Sequence, residues 1–426
     1  MGSLDVPRQP GGTPAGGEFA RRTNDAPGGD LDAAAWPAVG AEPRQWTPLA
    51  GFGVRAAREG TTTVTYQAAV PPMIADITPR LDAGLAAEAE EAAQELSRFD
   101  AELGARVAGF APVLLRSEAA SSSQIENLTA SARAIFSAEL GAKTGRNAEL
   151  IAANTRSLQA ALDLANEITP ETIAAMHRAL MDGQPRHTPG EYRSEQVWIG
   201  TRSDSPVGAE FVPPHHERVE ELIEDLVGFA ARWDVPALTS VAIAHAQFET
   251  IHPYTDGNGR TGRALAQSML RFRGVTRNVA IPVSAGLLAD VDGYHRALTA
   301  YRAGDPNPIV RAFADASFRA VHNSRQLVTD IDAIRSGWGT RLTARRDSNA
   351  WRLLDEFAAR PVLNAAAAAE ALGVQQPNVY PPMRTLVEAG IVKSKAEHKL
   401  GPFWRSDEIL EAVDAFAARA GRRSRA

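Results

Sequence analysis

The sequence predicts a mainly α-helical protein, and three observations carry that expectation. From about Ile77 to Asp347, apolar residues recur at three- and four-residue intervals, the repeat of one helix face. Ala, Arg, Glu and Leu, which favour helix over strand, dominate the composition. Only the stretch 187–214 interrupts the helical period. At 426 residues the chain exceeds one ordinary core, so two or three domains are expected.

The elements follow in chain order. Residues 1–45 carry many glycines and prolines without a periodic apolar face, which predicts a flexible tail with no structure. In the N-terminal region 46–145, the β-prone run 61–70 stops at Pro71-Pro72 and predicts one short edge strand. Helices are predicted over 79–103, 146–166, 170–182, 215–232, 238–251, 260–273 and 285–302. Within the interruption, Val197-Trp198-Ile199-Gly200 and Glu210-Phe211-Val212 flank a polar turn, which predicts a projecting β-hairpin.

The main helical domain is set at 146–347 and a smaller unit at 348–426. That unit breaks into amphipathic pieces at Trp351–Ala359, Leu363–Leu372 and Tyr380–Ala389, followed by Ile391-Val392 and Phe403-Trp404 as wing strands. A winged helix-turn-helix with a basic tail, Arg422-Arg423-Ser424-Arg425, is the expected order.

Composition limits the chemistry. With 44% hydrophobic and 23% charged residues the chain is of globular type. It has no cysteine, which removes disulfides, thiolate metal sites and thiol nucleophiles and fits a cytoplasmic setting. No basic-then-apolar leader opens it and no apolar run approaches the roughly 18 residues of a membrane span, so neither secretion nor membrane contact is expected. A net charge of -6 repels nucleotides at long range, so an anionic ligand needs a locally positive site.

The segment His252-Pro-Tyr-Thr-Asp-Gly-Asn-Gly-Arg-Thr-Gly-Arg263 supplies one. The helix before it should end near His252, because the residue preceding Pro253 is biased away from helical backbone. Gly257 and Gly259 permit a tight turn with inward N–H groups, and a new helix starting near Asn258 presents its anion-favouring end. Arg260 and Arg263 share a face of that helix and can fork onto phosphate oxygens. Asp256 is the right ligand type for Mg²⁺ held jointly with substrate phosphates. His252 is suited to removing a proton from an attacking hydroxyl.

The segment resembles the signature of the Fic family, His-Pro-Phe-x-[Asp/Glu]-Gly-Asn-Gly-Arg-x-x-Arg, with Tyr254 in place of Phe. The resemblance extends over roughly 78–320, including Met176-His-Arg-Ala-Leu180 and Pro189-Gly-Glu-Tyr-Arg193. It implies a Fic-type helical domain at 146–347 with a β-hairpin flap, and transfer of AMP from ATP to a Tyr, Thr or Ser hydroxyl of a target protein. In the family pattern His252 is the base and Asp256 the Mg²⁺ ligand. Gly257, Asn258 and Gly259 then form the phosphate cradle, while Arg260 and Arg263 clamp the β- and γ-phosphates. Doc-type relatives, which transfer phosphate, carry Lys where this chain has Gly259. The flap residues Val197, Trp198, Ile199 and Gly200 would align a target strand.

Ser122-Ser-Gln-Ile-Glu126-Asn127 resembles the family's inhibitory motif, [Ser/Thr]-x-x-x-Glu-[Gly/Asn]. Glu126 would pair with Arg263 and keep ATP in an unproductive pose, a contact worth roughly 1.5–3 kcal/mol. The competing reading is a capping box that starts a helix.

Other signals are weaker. Tyr294 could border the nucleotide base, His245 is read as packing, and His215-His216 as a helix start. Between 348 and 408, seven basic residues face seven acidic ones, so DNA binding competes with protein docking or homodimer formation. Pro381-Pro382 removes N–H donors at the start of a recognition helix. Removal of AMP, another nucleotide donor, self-modification, and a DNA-binding regulator with a nucleotide-sensing site complete the alternatives.

Overall fold

Among the described residues, which are 35–47, 63–104, 107–184, 186–200, 205–397 and 400–421, the computed structural model begins with two paired strands. β1 (Gly40–Trp46) runs antiparallel to β2 (Val64–Val70), with Gly40 opposite Val70. β2 is the strand expected at 61–70. β1 corrects the assignment of 1–45 to a structureless tail. Trp36 is buried against Phe229 and Tyr301, and the Val39 N–H donates to the Arg302 carbonyl at 2.8 Å. One aromatic anchor outweighs the surrounding Gly and Pro content, which sequence averaging could not reveal. The tail assignment for 1–34 lies outside the described residues.

Eleven helices follow: α1 (Ala83–Leu103), α2 (Val107–Ile125), α3 (Ala132–Glu139), α4 (Arg146–Asp163), α5 (Pro170–Met181), α6 (Val219–Ala230), α7 (Ala237–Ile251), α8 (Asn258–Phe272), α9 (Val283–Leu288), α10 (Val291–Arg302) and α11 (Asn307–Arg341). Every residue of α7 from Leu238 to Ile251 is buried, so α7 is a core helix rather than a surface one. α8 packs closely on it, because Gly262 leaves no gap: a Cβ there would lie 2.6 Å from Glu249 Oε1. Buried carboxylates fix the connections. Asp100 accepts the N–H groups of Arg277, Asn278 and Val279, and Asp225 those of Ile74 and Ala75. Asn154 on α4 donates to the Ala119 carbonyl and Ser123 Oγ on α2.

The expected hairpin at 197–212 is reduced to a single antiparallel bridge, Ile199 to Phe211; residues 201–204 lie outside the described set. Its second limb instead joins β2, where the Ala69 N–H donates to the Val212 carbonyl at 3.0 Å. Side-chain bonding takes the place of further ladder pairing, since Gln196 Nε2 donates to the carbonyls of Val197 and Pro213.

The C-terminal elements are α12 (Asn349–Ala359), β3 (Val362–Asn364), α13 (Ala365–Leu372), α14 (Tyr380–Glu388), β4 (Lys393–Glu397), β5 (Gly401–Arg405) and α15 (Asp407–Ala420). The antiparallel sheet has the order β3-β5-β4. Pro381 and Pro382 occupy the first turn of α14, where a missing N–H costs nothing. Ile391 and Val392 are buried just before β4 rather than in it. α15, capped by Ser406 with Asp407 and Glu408 in its first turn, was not expected from the sequence. Among the described residues, no helix is long and apolar enough to cross a membrane.

Candidate active site

The site is built where α7 hands over to α8. The His252 N–H closes α7 by donating to the Phe248 carbonyl, and its backbone then turns left-handed, with φ of 52°. Only His252 and Asn127 do this among the described non-glycine residues. Such a conformation costs about 1–3 kcal/mol and persists where neighbours enforce it. Arg193 is the enforcer: buried, it donates from Nε to the His252 carbonyl at 2.9 Å and from Nη2 to the Pro214 carbonyl at 2.5 Å. Its own N–H reaches the Pro253 carbonyl at 2.9 Å.

The loop that follows is equally bound. Asn258 accepts the Tyr254 N–H and donates back to the Tyr254 carbonyl, both at 2.9 Å, so its side chain braces the loop and leaves only its backbone to a ligand. The Tyr254 ring is buried and stacks on His177, with centroids 3.6 Å apart. His177 accepts the Gly190 N–H at Nδ1, which leaves Nε2 to donate to the Asp256 carbonyl at 3.1 Å. Burial pulls the His177 imidazole down to about 4, keeping it neutral in this role. Gly257 sits at φ 78°, with Leu180 only 2.9 Å from where a Cβ would be.

Above the loop lies a cavity of about 480 Å³ lined by His252, Asp256, Gly259, Arg260, Glu126 and Arg146, among others. That volume is within the range of small-molecule sites. Burial, together with the Arg193 and Arg302 charges, pushes the His252 imidazole down to about 4, so it is a neutral proton acceptor at neutral pH. Arg260 is buried, yet its Nε and Nη1 have no partner, and its Nη2 lies 3.9 Å from Asp256. A buried guanidinium with idle donors at a helix N-terminus beside a cavity is arranged for an anion. The Asp256 carboxylate accepts the Gly257 N–H at 2.7 Å and is 47% exposed toward solvent.

Arg263, in contrast, is engaged through both Nε and Nη2. Its Nη2 donates to Glu126 Oε1 at 2.9 Å and to the Ser122 carbonyl at 2.8 Å, and its Nε to Ser122 Oγ at 2.9 Å. Burial raises the Glu126 carboxyl, but Arg263, Arg260 and His252 together hold it below the usual carboxylate range. For Arg263 the order is reversed, with burial lowering it and Glu126 first among the groups that bring it above the ordinary guanidinium value. Ser122 and Ser123 end α2 rather than start a helix, so the capping-box reading does not hold. The chain leaves α2 through Glu126 and the left-handed Asn127 (φ 60°).

Tyr294 lies elsewhere than expected. Its ring is buried and its hydroxyl is within 2.7 Å of His245 Nε2, and neither residue lines the cavity. His245 is held at about 3 by burial and packs as expected. His215 precedes a short 3-10 turn at His216–Arg218 that leads into α6. The flap residues Val197, Trp198, Ile199 and Gly200 do not line the cavity; Trp198 packs edge-on to Trp46 of β1. The sequence does not mark Arg193 and His177 as individual site residues; their only signal is their place in the strings 176–180 and 189–193 that carry the family resemblance.

A neutral imidazole, an exposed carboxylate and a buried arginine with two idle donors stand around a helix N-terminus, an arrangement suited to base-assisted chemistry on a phosphorylated ligand. Residues 167–270 match the model of the Fic/DOC family, and the chain therefore carries a Fic/DOC domain. Over 182 residues it is 28% identical to the protein adenylyltransferase fic-1 of Caenorhabditis elegans, covering 42% of this chain and 33% of that protein. Protein adenylyltransferase Fic of Drosophila willistoni is 30% identical over 154 residues, covering 35% and 28%. The chain thus spans about a third or less of the length of the curated relatives it matches. A crystal structure of a Fic family protein from Desulfovibrio desulfuricans G20 superimposes with a TM-score of 0.49 at 20% identity, covering 77% of this chain and 97% of that one.

Proposed function

We propose that this protein is an adenylyltransferase that moves AMP from ATP to a hydroxyl side chain of a protein, its own chain included, and that Glu126 holds it in check. The observation that carries the reading is the pairing, across one cavity, of a neutral His252 with a buried Arg260 whose Nε and Nη1 have no protein partner.

In the proposed reaction, the triphosphate lies over the N-terminus of α8, where the amides of Gly257 to Gly259 and the Arg260 guanidinium face its oxygens. His252 takes the proton of a Tyr, Thr or Ser hydroxyl, and the oxygen forms a bond to the α-phosphorus. The bond from that phosphorus to the bridging β-phosphate oxygen breaks, and pyrophosphate leaves. Asp256 suits Mg²⁺: one exposed carboxylate beside the cradle is what this ion takes when phosphates supply its other ligands. Bound there, the ion would offset phosphate charge. A Gly at 259, rather than a Lys that would itself hold phosphate, favours attack at the α-phosphorus.

Inhibition follows from Arg263. With its Nη2 on Glu126 and Ser122, it has no free fork for a γ-phosphate. The C-terminal unit is read as a winged helix on the order α12, α13, α14, β4 and β5. Docking of protein is favoured over DNA there, because Lys393 and Arg405 are both paired with Asp407.

The test is incubation of the wild-type chain, E126G and E126G/H252A with labelled ATP and Mg²⁺. E126G is expected to label itself or lysate proteins, and the double variant to lose the label. Equal labelling by all three would remove the proposal.

A further inference from the structure

The loop that carries Glu126 spans residues 126–131, between the end of α2 and the start of α3. Both of its ends rest on one helix from the far end of the chain. Before the loop, Gln124 lies against Gly421, so close that a Cβ there would be 3.3 Å from Gln124 Nε2. After it, the first N–H of α3, from Ala132, donates to Asp414 Oδ1 of α15 at 2.8 Å. Asn147 Nδ2 adds an anchor by donating to the Thr129 carbonyl at 3.1 Å, and the Asn127 and Leu128 N–H groups donate back to the carbonyls of Gln124 and Ser123.

α15 is in turn strapped to the long helix α11 along its length. Glu408 accepts from Trp338 Nε1 at 2.7 Å and Arg341 Nη2 at 2.6 Å. The Phe416 carbonyl accepts from Asn323 Nδ2 at 3.2 Å, and Arg419 Nε donates to Asn323 Oδ1 at 2.6 Å. These contacts make α15 a fixed surface against which the loop is held. Asn127 takes the left-handed turn that commonly ends a helix, and the Leu128 N–H closes it by donating to the Ser123 carbonyl.

We infer that α15 is the clamp that keeps Glu126 on Arg263, with Asp414 as its positioning residue, so that events at the C-terminal unit set the activity of a site it does not line. This rests on the reading of Glu126 as an inhibitor. Moving α15 frees both ends of the loop at once, and the pair with Arg263 is lost through backbone motion without any ligand entering the cavity.

Asp414 is a surface residue, so D414A leaves the core intact, and its unfolding temperature checks this. Two readouts in the full chain separate the clamp from the proposed reaction. In hydrogen exchange, the amides of 127–132 are expected to exchange faster in D414A than in wild type; unchanged protection overturns the clamp whatever the activity. In labelling with ATP, D414A is expected to gain roughly ten- to a hundredfold over wild type, the scale set by loss of one charge-assisted bond. It is expected to add nothing in an E126G background. An equal gain in both backgrounds also overturns the clamp, since the effect would not pass through Glu126. Faster exchange in D414A with no labelling by E126G would leave the clamp standing and remove the adenylyltransferase reading instead.

Discussion

Glu126 occupies the space a side chain at position 259 would need: a Cβ built on Gly259 overlaps Glu126 Oε1 and lies 3.0 Å from Arg263 Nη1. The second glycine of the loop therefore serves two ends at once. In the proposed reaction it would let phosphate oxygens approach the backbone, and it admits the Glu126 carboxylate to the same place.

This relationship is open to a double-mutant test. Gly259→Ala is expected to destabilise the wild-type chain by about 1–3 kcal/mol, the usual cost of overpacking. In an E126G background only the 3.0 Å approach to Arg263 Nη1 remains, and the same change is expected to cost less than about 1 kcal/mol. Chemical denaturation of the four proteins measures the difference; equal costs in both backgrounds would show that Glu126 does not sit against Gly259.

Gly262 makes a second close approach, between α8 and α7. A methyl there meets Glu249 Oε1 at 2.6 Å and Phe248 Cδ1 at 2.9 Å, both on a fully buried helix that cannot yield. Gly262→Ala is expected to lower stability by about 1–3 kcal/mol in thermal or denaturant unfolding. Because no loop can absorb the strain, a neutral result would mean that the two helices sit further apart.

Arg193 holds the His252 turn by three carbonyls, those of His252, Pro214 and, weakly, Ile251 at 3.4 Å. Arg193→Met keeps the apolar stem but leaves these acceptors without their donor, at about 1–3 kcal/mol for each buried one. The variant is expected to be measurably less stable and, with E126G, to lose most labelling. Full labelling with unchanged stability would show that His252 holds its left-handed backbone without this residue.

The pH dependence follows from His252. Its folded value is lowered to about 4, so the proton-free form persists as pH falls and is lost only on passing through about 4. An ordinary imidazole, half-protonated near 6.5, would lose about tenfold in proton-accepting form between pH 7.5 and 5.5. The E126G variant is expected to keep kcat/KM within about twofold over that interval, since kcat/KM reports the free enzyme. A tenfold fall would place the base in an ordinary, hydrated environment.

The site was legible in the sequence where its chemistry is local. His252 to Arg263 are contiguous, and their spacing alone sets a helix end, a turn and a helix start, which α7 and α8 reproduce to within two residues. The same holds for Ser122 and Glu126, which reach Arg263 from a short segment. What stayed hidden depends on distance. Arg193 and His177 act on backbone carbonyls 59 and 79 residues away, and no side-chain pattern encodes such a partner. β1 was masked by its Gly and Pro surroundings because its stability comes from β2 and the burial of Trp36. Tyr294 was placed toward a ligand on residue type, whereas its helix turns it into the core against His245.

The most direct measurement of the central claim is parallel incubation of E126G and a cell lysate with ATP labelled at the α-phosphate and ATP labelled at the γ-phosphate. Label on protein from the α-phosphate that His252→Ala abolishes, with γ-phosphate label unchanged by His252→Ala, is the expected result. Label from the γ-phosphate that His252→Ala abolishes would mean phosphate transfer at this site and would contradict attack at the α-phosphorus.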